Sequence, residues 1–134
     1  MVEVLYGDEW ITVSWDAGVG LVRYTRSSAA YPDVETAVRS FDAMRGAVRR
    51  VSPGGSAKLL IDTRRAPPRN DPAFEAQVQR ATAEFATRFV RVATLMATAV
   101  GKLQAVRLAH ERGAEKPHVF DDEQAALAYL NQPR

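Results

Sequence analysis

Hydrophobic and polar positions change period along the chain, and each change marks an element. In Glu9–Trp15, residues Trp10, Thr12 and Ser14 alternate with Ile11, Val13 and Trp15, a period of two rich in β-branched and aromatic side chains. Asp16-Ala17-Gly18 predicts a turn, and Val19–Thr25 a returning strand, so the two form a hairpin. Val2–Tyr6 predicts a short strand before it.

The period then lengthens. Val34, Val38, Phe41, Met44, Val48 and Val51 form one stripe and predict a helix from Asp33 to Val51, stopped by Pro53-Gly54-Gly55. Ala57–Asp62 is a short apolar run of the kind expected from a strand buried on both faces. Asp71 as N-cap and Pro72 at the first helical position open a second helix, with Phe74, Val78, Ala81 and Phe85 on its buried side.

A strand over Phe89–Leu95 follows, with Val90, Val92 and Leu95 packed. A third helix is expected from Thr98 to Arg112, with Leu103, Val106 and Ala109 buried and Gly113 as its left-handed C-terminal residue. The last strand is Pro117–Phe120. Asp121 and Gln124 then suggest a capping box for a final helix that buries Ala126, Leu127 and Leu130.

The expected order is β-β-β-α-β-α-β-α-β-α. Strands alternating with helices from Ala57 onward imply right-handed crossovers and locally parallel pairing. The fold class is therefore α/β: a single mixed β-sheet, antiparallel at its N-terminal strands and then βαβαβα, with helices packed on it. All 134 residues are read as one domain, a length that can bury a core without disulfides or metals.

Composition narrows the chemistry. There is no cysteine, which removes disulfides, thiolate-bound metals and thiol nucleophiles. The first residues lack the basic flank and apolar run of a secretory signal, and no apolar run is long enough to span a membrane, so a cytoplasmic location is expected. A formal charge of +2, with Arg39, Arg45, Arg49 and Arg50 interleaved with Glu35 and Asp42, argues against nucleic acid as a partner.

Leu59-Leu60-Ile61-Asp62-Thr63-Arg64, followed by the helix start at Asn70-Asp71-Pro72, resembles the central segment of STAS domains, the SpoIIAA-like anti-sigma-factor-antagonist fold. There a buried strand ends in an aspartate and the next helix begins with an Asp-Ser pair. The close, from Val119 through the acidic cap to Ala126-Leu127-Ala128-Tyr129-Leu130, is also similar to the family's. The likeness runs from Ala57 to Leu130. It implies a non-enzymatic regulatory or adaptor module that binds a protein partner, with no cofactor and a possible homodimer. In classical members the serine of that pair is phosphorylated to switch binding. Asp71 stands at that position here, so the resemblance implies a domain without the phospho-switch, its negative charge fixed at a helix N-terminus. The simpler reading is that Asp71 is an ordinary N-cap ahead of Pro72.

The segment from Thr63 to Asp71 leaves the C-terminal end of an expected parallel strand, where open α/β sheets place their ligand sites. Its arginines Arg64, Arg65 and Arg69, with Asn70 and Asp71, are the candidate residues for an acidic partner or an anion, held near a helix start by Pro67-Pro68. The alternative is a small-ligand domain of SEC14-like type, for a nucleotide, a lipid or another anion. No catalytic constellation is recognised: Gly54–Lys58 lacks the phosphate-loop spacing, and Asp121 and Asp122 fit helix capping. His110 and His118 lack the neighbours of a metal site. Trp10, Trp15 and Tyr24 are expected to complete the core, with an outward patch as the other reading.

Overall fold

A computed structural model describes residues 2–50, 56–67, 71–97 and 118–132. The expected third helix, with His110 and Gly113, lies outside these residues. So do Val51, Pro53-Gly54-Gly55, Pro68, Arg69 and Asn70.

Six strands form one sheet in sequence order: β1 (Val2–Gly7), β2 (Ile11–Asp16), β3 (Leu21–Arg26), β4 (Lys58–Asp62), β5 (Arg91–Leu95) and β6 (Val119–Phe120). The first three pair antiparallel, and β3 through β6 run parallel. The described helices are α1 (Val34–Arg49), α2 (Pro72–Ala86) and α3 (Glu123–Leu130). The α/β class and the mixed sheet agree with the hydrophobic pattern.

Successive strand residues face opposite ways, and β4 uses this to build two cores. Leu59 and Ile61 join Ile11, Val13, Val22 and Tyr24 beneath Phe41, Met44 and Val48 of α1 and Phe85 of α2. Leu60 faces the other way, packing with Ala93 and Leu95 against Ala126 and Leu130 of α3. The unbroken apolar run is thus explained by helices on both sides of β4. Tyr24 is buried, while Trp10 and Trp15 pack half-buried against the first core.

Local corrections have local causes. The buried side of α1 takes in Ala37, which packs with Tyr31 and Phe74, and Ser40, which donates to Asp8, and it leaves Val38 exposed. The hairpin extends to Gly20, whose φ of +67° lies in the left-handed region that favours glycine, so β3 begins at Leu21. Phe89 stays out of β5: its amide bonds to Ala86 O and its ring meets Phe85 edge-on at 5.0 Å. Val92 packs against the first core and Leu95 is fully buried, as expected, while Ala93 rather than Val90 is the other fully buried side chain of that segment. Finally, Asp122 and not Asp121 caps α3, accepting from the amides of Gln124 (3.4 Å) and Ala125 (3.2 Å).

Candidate functional site

Register along β3 and β4 sets a charged cluster at one end of the sheet. Arg23 stands opposite Leu60, and Thr25 opposite Asp62. Arg23 and Asp62 therefore share the face that carries α3. Asp62 ends β4 with its side chain only 8% exposed, and such a carboxylate needs compensating donors. It accepts from Arg23 Nη2 at 3.1 Å, from Arg64 Nη2 at 2.8 Å, from Arg64 Nε at 3.0 Å and from the Arg64 amide at 3.2 Å. Arg64 grips Asp62 with two prongs of one guanidinium, the geometry in which arginine binds carboxylates best. Glu123, the first residue of α3, takes Arg64 Nη2 at 3.2 Å and also pairs with Arg23.

Two cations and two anions thus cancel, and three elements are tied together at the C-terminal ends of β3 and β4. The bonds from Arg64, and then Arg23, outweigh burial and hold the Asp62 carboxyl below its usual range. The Glu123 carboxyl is lowered chiefly by its bond to Arg23. The loop that follows is anchored: the Thr63 amide and hydroxyl both donate to Leu95 O, at 3.0 and 2.9 Å, and the Ala66 amide donates to Thr63 O.

The candidate residues therefore separate. Arg64 is bonded to Asp62 and Glu123 while remaining exposed, and Arg65 is exposed as well. Asp71 is an exposed N-cap that accepts from the Phe74 amide at 3.2 Å and begins α2. Arg69 and Asn70 lie outside the described residues. Sequence reasoning did not bring Arg23 and Glu123 into the site. The available signal was a charged residue at position 23, between apolar Val22 and Tyr24 in a strand.

A second polar cluster lies on the α1 side. Asp8 accepts from the Tyr6 hydroxyl (2.7 Å), the Ser40 hydroxyl (2.7 Å) and the amides of Trp10 (2.8 Å) and Ile11 (2.9 Å). Tyr31 donates to Ser40 at 3.3 Å and stacks on Trp10, with the Arg26 guanidinium over its ring. Burial would raise the Asp8 carboxyl, but the bonds from Ser40, Ile11, Tyr6 and Trp10 outweigh it and leave it lowered. Burial, and then Asp8, push the Tyr6 phenol up to about 12. These groups fasten the first hairpin to α1, and Ser40 is buried.

At the opposite end of the sheet, a shallow cleft of about 200 Å³ is lined by Ser56, Lys58, Arg91, Leu130 and Asn131 among others. Lys58 Nζ donates there to Asn131 at 2.8 Å. His118 stacks on Tyr129 at 4.2 Å. Among the described residues no three His, Asp or Glu side chains converge as metal ligands, and no helix is long and apolar enough to cross a membrane.

No protein-family model, no curated protein and no solved structure matches the chain.

Proposed function

We propose that the chain is a non-enzymatic regulatory or adaptor module of the STAS/SpoIIAA-like kind. It acts in the cytoplasm and docks an acidic protein partner at the C-terminal ends of its parallel strands. One observation carries the reading: buried Asp62 and its arginines brace the start of the loop, while Arg65 remains exposed. A loop held in place loses little entropy when a partner binds. Exposed arginine is also a common anchor at protein interfaces. Asp71 supports the version of this family without a phospho-switch, since it already places a fixed negative charge where the family's serine would stand.

The structure refines the design of the test. Reversing Arg64 would attack Asp62 and the fold, so the informative variant is Arg65→Glu/Arg69→Glu. Affinity capture from native extract, with wild type and this variant side by side, should recover a partner that the variant loses at unchanged melting temperature. Equal recovery by both forms would remove the loop as the docking surface.

A further inference from the structure

The members of the charged cluster are not equally committed. Asp62 is 8% exposed and uses both oxygens in four hydrogen bonds, so it cannot leave without breaking all four. Glu123 differs. Its side chain is 38% exposed, and both of its contacts are with guanidinium groups that themselves reach solvent, at 30% and 38%. Exposed ion pairs of this kind contribute little and exchange readily. The N-terminus of α3 does not depend on Glu123 either, because Asp122 caps it.

If Glu123 swings out, Arg23 and Arg64 stay aligned on Asp62 and the cluster carries one net positive charge. We propose that Arg23 and Arg64 form an oxyanion site whose present occupant is the chain's own Glu123, and that the group exchanged for it is a phosphoryl dianion. A simple carboxylate brings nothing that Glu123 lacks, and Glu123 has the advantage of being tethered. A phosphoryl group adds a second charge and further oxygens for the Nη2 groups of Arg23 and Arg64 that now hold one Glu123 oxygen, the Arg64 fork itself staying on Asp62. Exposed Asp121 and Asp122 adjoin Glu123 in sequence and oppose a free anion, so the group binds weakly alone and strongly only with further contacts from the molecule that carries it. The inference rests on the reading of this end of the sheet as the docking surface, and it makes Glu123 an internal competitor there.

The test is a titration of the folded protein with inorganic phosphate at constant ionic strength, following the arginine Nε–H resonances by NMR. Glu123→Gln should show saturable shifts at Arg23 and Arg64, with an affinity about fivefold above wild type. Adding Arg23→Lys, which keeps a charge against Asp62 and so protects the fold, should abolish the shift at Arg64. A phosphoserine peptide binding more tightly than inorganic phosphate would assign the group to a partner's side chain, and equal binding would assign it to free phosphate and overturn the need for a carrier's further contacts. Glu123→Gln that responds no more than wild type, or shifts that survive Arg23→Lys, would overturn the proposal. That failure is distinct from failure of the docking reading, which is decided by partner capture through Arg65 and Arg69.

Discussion

Replacing Asp62 with asparagine isolates the charge of the cluster from its shape. Asparagine keeps an oxygen for the Arg64 amide and Nε, but it turns an amide donor toward the Nη2 groups of Arg23 and Arg64, which sit 3.1 and 2.8 Å from the native oxygen. Breaking a fully buried ion pair costs about 3–5 kcal/mol. Here the arginines are 30% and 38% exposed and can recover solvation, so roughly half of that, about 2 kcal/mol, is expected. For a chain of this length that corresponds to a fall in melting temperature of roughly 6–10 °C, measured by circular dichroism beside guanidinium unfolding.

The pH dependence supplies a sign. The folded Asp62 carboxyl lies below its unfolded value of 3.8, so its contribution is complete above 3.8 and is lost as pH falls through the lower, folded value. The gap between wild type and Asp62→Asn should therefore be constant near neutrality and narrow in acid. A variant within about 0.5 kcal/mol of wild type at pH 7, the range of an ordinary surface change, would refute the reasoning. So would a gap that does not narrow at all on going from neutral pH into strong acid.

Two further outcomes test other parts of the structure. Asp71→Ala should cost about 1 kcal/mol in guanidinium unfolding by removing the cap of α2, and Asp71→Ser should be close to neutral. A loss of similar size in both would show that the charge, not the cap, matters there. Tyr6, raised from 10.0 to about 12, contributes stability that is complete below pH 10 and is lost as pH rises through about 12. Tyr6→Phe should therefore lose less stability over that interval than wild type and remove one late-titrating phenol from the tyrosinate absorbance. If the phenol lost from the curve is one that titrates near 10, the Tyr6–Asp8 contact is contradicted.

Much of the architecture was legible in the chain because it depends on local pattern. Alternation through Ile11–Trp15, the apolar Leu59-Leu60-Ile61 and the Asp71-Pro72 helix start each specify an element by short-range sterics and burial. The phase of α1 was less legible, since Val38 is more hydrophobic than Ala37 or Ser40 and the groups that cover the smaller side chains, Tyr31, Phe74 and Asp8, come from elsewhere in the chain. The charged cluster was the least legible part. Arg23 and Asp62 are 39 residues apart, and Arg23 and Glu123 are 100 apart. Their meeting depends on the parallel register of β3 with β4 and on α3 returning to the face opposite α1. The same holds for Asp8 and Ser40, which are 32 residues apart.

The central claim, that the end of the sheet beyond β4 docks a partner, is tested most directly by quantitative capture with three forms run in parallel. These are wild type, Arg65→Glu/Arg69→Glu, and Lys58→Glu in the cleft at the opposite end as a control for charge reversal alone. The account predicts a partner held equally by wild type and Lys58→Glu, released by added salt, and lost from the loop variant. A partner retained by the loop variant, or lost equally from both variants, would contradict it.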